Sequence, residues 1–270
     1  MLRTRVLTAA YLVPIVLGLI YLGGMFYLVL VALLLTLAEI EFCQMMRRDG
    51  WRPAPVFGVA LVLLFVANAQ WPEIGLLEPG MILITLGSVS YHLAHREGSP
   101  VTDWAVTLAG GLYLGLCAAS LVRLRALEPD GYRWTLIGVL TIMFADSAAY
   151  FVGRAVGRHK LAPQLSPGKT WEGYIAGVIG GGLWAALMGW LWPAEQVPGT
   201  AALQALVLGL LIGLLAPFGD LAVSMMKRQV GVKDTGTIIR GHGGALDRVD
   251  SVLWAGVLAY YYVSWIIVSA

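Results

Sequence analysis

The sequence predicts an all-α, polytopic integral membrane protein of about nine transmembrane helices with a cytoplasm-facing polar site. Three observations predict this. Of the 270 residues, 59% are apolar and only 13% charged, whereas a soluble domain carries roughly 25% charged residues. Mean hydropathy is +0.77, and several apolar runs reach the ~20 residues that cross a bilayer. The two-residue alternation of a transmembrane barrel is absent.

In chain order the expected spans are 6–22, 25–42, 54–71, 80–95, 104–122, 134–153, 173–192, 201–226 and 251–269. Arg3 and Arg5 ahead of the first run imitate a signal peptide. The run continues to Leu22 with no A-x-A-like site after it, so it reads as the first membrane helix. Gly23-Gly24 is a bare turn into the second span, which ends on Glu39 and Glu41. Both read as interfacial, with Glu39 able to face the bundle interior. The link from Pro72 to Gly80 is acidic. Gly111 and Gly115 in the fifth span, Gly173, Gly177 and Gly181 in the seventh, and Gly209 and Gly213 in the eighth repeat at four-residue spacing. Small residues at that spacing let helices approach closely. Packing within one subunit is the simpler reading, and a homodimer interface is the other. Cys43 and Cys117 lack CxxC spacing and read as small buried hydrophobes.

The distribution of cations orients the spans. With the N-terminus in the cytoplasm, 15 of the 18 Lys and Arg residues fall on cytoplasmic segments, and only Arg123, Arg125 and Arg133 fall outside. The C-terminus then lies outside, in the setting of a cell inner membrane. The two long polar connections, 154–172 and 227–250, both face the cytoplasm. The chain reads as one membrane domain, with residues 1–130 supplying helices of weak signature and 131–270 the catalytic half.

Residues 224–250 form a polar island with five cations, three carboxylates, one histidine and five glycines. Just before it, Asp220 follows Pro217 in an apolar run, roughly 9 Å below the surface if the helix is regular. A carboxylate at that depth is costly unless paired or wet. A divalent-cation ligand is the preferred reading, and neutralisation by a neighbouring cation the plainer one. Asp247 and Asp250 open the ninth span on one helix face, where simple capping competes with function, most strongly for Asp250. Asp220 and Asp247 from neighbouring helices suit Mg²⁺, a hard ion bound through one or two carboxylates plus substrate phosphates. Gly241, His242, Gly243 and Gly244 resemble a phosphate cradle at a helix N-terminus, with His242 donating to phosphate or exchanging a proton. Lys227, Arg228, Lys233 and Arg240 either bind phosphate or merely obey the orientation rule. Ser166-Pro167-Gly168-Lys169-Thr170 offers hydroxyls and an ammonium but lacks the first glycine of a Walker A motif. Asp146 lies about 10 Å inside the sixth span, and Glu172 begins the seventh. For both, pairing with a loop cation and a role in the site are equally good readings.

These residues carry a resemblance. Ser224, Lys227-Arg228, Lys233-Asp234, Gly236, Gly241-His242-Gly243-Gly244, Asp247-Arg248 and Asp250 stand in an order and spacing similar to the signature of the phosphatidate cytidylyltransferase (CDP-diacylglycerol synthase) family. Upstream, Asp146-Ser147, Ala149-Tyr150 and Gly153, then Ser166-Pro167, Lys169-Thr170 and Glu172-Gly173, resemble a second region of that family. Residues 1–130 match only in hydropathy and in the Arg3-Thr4-Arg5 opening. Arg240 departs from the family, whose members often have Pro there. The resemblance implies conversion of CTP and phosphatidate to CDP-diacylglycerol and pyrophosphate. It implies Asp220, Asp247, Lys227 and His242 as catalytic residues, with Mg²⁺, one ion or two, on Asp220 and Asp247. Arg228, Lys233, Asp234, Gly243, Gly244, Arg248, Asp250, Asp146, Ser166, Lys169 and Glu172 are then substrate-binding. The partners are CTP, phosphatidate and the bilayer, with no nucleic acid. A CTP-dependent lipid-alcohol kinase and an ion-coupled transporter using Asp146 and Asp220 are the rival readings.

Overall fold

The computed structural model describes residues 2–95, 98–197, 199–236 and 243–268, with side chains from Tyr11 onward. Ten α-helices carry the described chain: α1 (Leu2–Leu22), α2 (Gly24–Met46), α3 (Pro55–Gln70), α4 (Leu77–Ala94), α5 (Pro100–Ala126), α6 (Gly131–Val156), α7 (Trp171–Leu191), α8 (Ala201–Leu215), α9 (Pro217–Gln229) and α10 (Leu246–Tyr262). The all-α membrane class is thereby observed. Among the described residues, six segments are long and apolar enough to cross a membrane: Gly24–Asp49, Pro100–Ala126, Gly131–Val156, Trp171–Leu191, Ala201–Gln229 and Leu246–Ile267. Tyr11–Leu22 and Pro55–Gln70 are shorter apolar helices.

Local sequence explains the boundaries. Gly23 separates α1 from α2 with a φ of 64°, in the left-handed region that glycine enters without penalty. Pro55 opens α3, where its missing N–H costs nothing. Thr170 caps α7, its Oγ1 accepting from Gly173 N–H at 3.2 Å. Between α6 and α7 lies a small antiparallel hairpin, β1 (Lys160–Ala162) with β2 (Ser166–Thr170), pairing Lys160 with Thr170 and Ala162 with Ser166. The sequence reading treated this stretch as loop.

The expected eighth span is not one regular helix. It breaks at Ala216, and Pro217, with no N–H to give the ladder, restarts it as α9. Asp220 therefore sits in the first turn of a helix. The N-terminal dipole favours its charge there. Glu39 and Glu41 are both fully buried, which for Glu39 is the inward-facing alternative and for Glu41 departs from the interfacial expectation. Both acids lie among the buried residues of α2, with Leu35, Ala38, Phe42 and Met45.

The chain divides into two compact units. The first joins Met1–Arg123 to Met226–Val249. Its core includes Leu35, Ala38, Leu61, Val62, Leu114 and Ala118, all buried. Gly111 lies against the backbone of Gly58, where a Cβ would approach Gly58 Cα to 2.9 Å. The second unit joins Leu124–Met225 to Asp250–Ala270. Trp134, Ile137, Ile142, Ala205, Leu208 and Ile212 pack there with Ala255, Ala259 and Val263. The glycine stripe of α7 faces α6: a Cβ on Gly173 would meet Ala149 O at 2.5 Å, and one on Gly177 would meet Ala145 O at 3.0 Å. Gly209 and Gly213 of α8 press on the backbone of Gly181 and Val178. These stripes are filled by helices of the same chain.

A methyl at Gly209 would lie 2.7 Å from Gly181 O. Gly209→Ala is expected to destabilise the protein by about 1–3 kcal/mol through overpacking. Detergent-driven unfolding in mixed micelles measures this, and unchanged stability would show that α7 and α8 can separate freely.

Candidate functional site

In the second unit, a charged cluster gathers where β2 reaches the start of α9. Lys169 Nζ lies 2.6 Å from Asp220 Oδ2 and donates to Pro217 O at 3.4 Å. Pro217 has displaced the helix ladder locally, and the ammonium of β2 comes close to both the carbonyl and the carboxylate of that turn. Ser224, one turn on, donates to Asp220 Oδ1 at 3.3 Å. Asp146 on α6 is within electrostatic reach of both Lys169 and Asp220. The sequence placed Asp146, Lys169 and Asp220 on three separate segments, and the fold brings them together. Gly219 makes room for α10: a Cβ there would meet Trp254 Cδ1 at 2.7 Å.

Glu172 has a different partner from the cations considered for it. Its carboxylate accepts from His159 N–H at 3.2 Å and stands 2.7 Å from His159 Nδ1, tying the hairpin entry to the start of α7. Ser166 lies on β2, half-buried. Asp250 is buried, and its Oδ1 accepts from Ser251 N–H at 2.6 Å, a contact within the opening of α10.

In the first unit, Asp247 opens α10 inside a dense shell of donors. Lys227 Nζ lies 2.6 Å from Asp247 Oδ1, with the two side chains 11% and 7% exposed. Asp247 Oδ2 accepts from Thr235 N–H at 2.8 Å, stands 3.0 Å from Thr235 Oγ1, and accepts from Gly244 N–H at 3.3 Å. Gly243 turns the chain with a φ of 85°. That turn sets its Cα close to Asp247, Asp234 and Arg248, for a Cβ there would lie 3.3 Å from Asp247 Oδ2, 3.9 Å from Asp234 Oδ1 and 4.0 Å from Arg248 Nη2. Arg228 donates to Val232 O at 3.3 Å, while Lys233, Asp234 and Arg248 are exposed. His242, with Arg240 and Gly241, lies outside the described residues.

Sequence reasoning missed Thr235 and Glu41. Thr235 reads as an ordinary loop residue, yet it is buried and is a partner of Asp247 through both backbone and side chain. Its place between a signature Lys-Asp pair and a glycine was the available signal. Glu41 offered only an acid at the end of an apolar run.

The donor set is compatible with Mg²⁺. Asp220 keeps lone pairs beyond its contacts with Lys169 and Ser224. On Asp247, Oδ2 faces three donor atoms, whereas Oδ1 faces Lys227 in the contacts above. A single-oxygen contact through Oδ1 therefore suits this carboxylate. Among the described residues no three His, Cys, Asp or Glu side chains converge as a complete cage. Mg²⁺ takes few protein ligands and completes its shell with phosphate oxygens and water.

The model of the cytidylyltransferase family matches residues 3–266. The phosphatidate cytidylyltransferase of Brucella suis is 36% identical over 97% of this chain and 93% of its own. That of Synechocystis is 32% identical over 96% of this chain and 95% of its own. That of Bacillus subtilis is 26% identical over 97% of both.

The Lys227–Asp247 pair is nearly sealed from solvent. Lys227→Met leaves a buried carboxylate without its counter-ion and is expected to cost about 3–5 kcal/mol. Adding Asp247→Asn should recover part of that loss, so the double variant falls short of the sum of the singles. Unfolding midpoints of the three variants in mixed micelles provide the check, and strict additivity would contradict the pairing.

Proposed function

The chain belongs to the cytidylyltransferase family, and from this we infer that it is the enzyme that converts CTP and phosphatidate to CDP-diacylglycerol and pyrophosphate. The observation that carries the reading is the clustering of signature residues Lys227, Gly243 and Gly244 around the buried carboxylate of Asp247. This arrangement supports phosphate chemistry, in which positioning and electrostatics contribute most of the catalysis.

An oxygen of the lipid phosphate attacks the α-phosphorus of CTP. The bond from that phosphorus to the bridging oxygen breaks, and its electron pair leaves with pyrophosphate. Lys227, Arg228, Lys233 and Arg248 hold the triphosphate by charge. Gly243 and Gly244 offer backbone N–H groups, and His242 donates to phosphate. Lys169 and Ser166 serve the lipid phosphate or the nucleotide from the hairpin. Asp146, Glu172, Asp234 and Asp250 orient these cations and the helix start. Asp220 and Asp247 would hold Mg²⁺, one ion or two, which when bound neutralises charge on the triphosphate and on the departing pyrophosphate.

The protein is a multi-pass membrane protein. We place its N-terminus in the cytoplasm, its C-terminus outside and its site at the cytoplasmic face of the inner membrane. The bias of 15 cations among 18 toward one side supports that orientation. The lipid tails then stay in the bilayer while the head group meets CTP arriving from water.

Purified protein supplied with phosphatidate, Mg²⁺ and α-labelled CTP is expected to produce labelled lipid. Absence of that product, or label reaching lipid only from the γ-position, contradicts the reading.

A further inference from the structure

Glu41 on α2 has no part in the roles assigned above, yet it is 0% exposed. Its Oε2 accepts from Leu246 N–H at 3.0 Å and from Thr235 Oγ1 at 3.2 Å. Those donors stand beside Gly236 and Gly244, Thr235 just before the first and Leu246 at the start of α10. Both glycines lie on the same carboxylate. A Cβ on Gly236 would collide with Glu41 Oε1, and one on Gly244 with Glu41 Oε2 and Thr235 Oγ1. Neither glycine has a positive φ. Their bareness is explained by the acid beneath them, not by backbone conformation.

Two further facts point from Glu41 toward the site. Among the described residues its Oε1 is buried with no hydrogen-bond partner, a costly state that asks for a reason. The Thr235 hydroxyl lies between Glu41 Oε2 and Asp247 Oδ2, at 3.2 and 3.0 Å, and its one proton serves one acid at a time. A carboxylate from the N-terminal half thus reaches Asp247 through a single shared residue.

We propose that Glu41 is a positioning residue for nucleotide binding. It fixes the backbone at Gly236 and at Gly244 and, through Thr235, sets the orientation of Asp247. The kinetic part of this proposal rests on the cytidylyltransferase reading. It predicts an effect on the triphosphate of CTP and little on the lipid substrate.

The test uses full-length protein in mixed micelles, varying CTP and phosphatidate separately. Glu41→Ala leaves two buried donors without their acceptor. It is expected to lower kcat/KM for CTP roughly 10- to 100-fold while leaving KM for phosphatidate within about threefold. Glu41→Gln keeps an oxygen that accepts from Thr235 and Leu246 and is expected to recover activity to within about fivefold of wild type. Thr235→Val combined with Glu41→Ala should cost less than the product of the two single losses. Should Glu41→Ala fail to fold, Gly236→Ala, which presses on the carboxylate without removing it, carries the same expectation of a raised KM for CTP.

The proposal is overturned if Glu41→Ala matches wild type, if Glu41→Gln is as impaired as Glu41→Ala, or if both substrates are affected alike. An unchanged KM for CTP in Gly236→Ala overturns it as well. An active wild type with any of these results sinks this proposal alone, whereas a wild type that makes no CDP-diacylglycerol sinks it together with the enzyme reading.

Discussion

Keeping carboxylates ionised beside hydrocarbon is the constraint on which the rest of this structure depends. A charge at membrane depth is retained only when paired, hydrogen-bonded or wet. Asp247 meets that condition through Lys227, Thr235 and Gly244. Asp220 meets it through Lys169, Ser224 and its place in the first turn of α9. Each carboxylate is therefore built in with a cation already at hand. The same cations that make burial tolerable are suited to phosphate, so the stability requirement and the chemical one select the same side chains.

The backbone makes those pairs reachable. Pro217 ends one helix and starts another, which frees its surroundings for the Lys169 ammonium and puts Asp220 at a helix N-terminus. Glycines let the second unit pack without side chains between helices, so that Asp146 on α6 and Lys169 after it are carried close to α9. In the first unit Gly236, Gly243 and Gly244 each do a different thing. Gly243 supplies a left-handed turn, while Gly236 and Gly244 leave space for Glu41 and Thr235. A glycine-rich string that reads as a phosphate cradle is also a packing solution around a buried acid.

Much of this was legible in the residues. The membrane class follows from composition, and the helix positions follow from apolar runs bounded by Gly and Pro. Asp220, Lys227 and Asp247 stood out as charges next to apolar sequence. Partners were harder to read, because pairing depends on which segments meet. Lys169 is 51 residues before Asp220 in the chain, and no short pattern links them. Glu172 invited a cation and took His159 instead, its neighbour across the base of the hairpin. Glu41 was hidden for the same reason: an acid near the end of an apolar run reads as interfacial until the chain 205 residues later is seen donating to it. The break at Ala216 was foreshadowed by Pro217, but its consequence for Asp220 needed the helix boundary itself.

The central proposal is that Asp220 and Asp247 would each serve as a metal ligand, each with a cation beside it. Paramagnetic Mn²⁺, standing in for Mg²⁺, reads this without turnover. Purified protein with CTP is expected to show bound Mn²⁺ by electron paramagnetic resonance, with affinity lowered at least about tenfold in Asp220→Asn and in Asp247→Asn, since losing even an outer-shell partner of a metal site costs about that much. Bound Mn²⁺ of wild-type affinity in both variants would contradict the account.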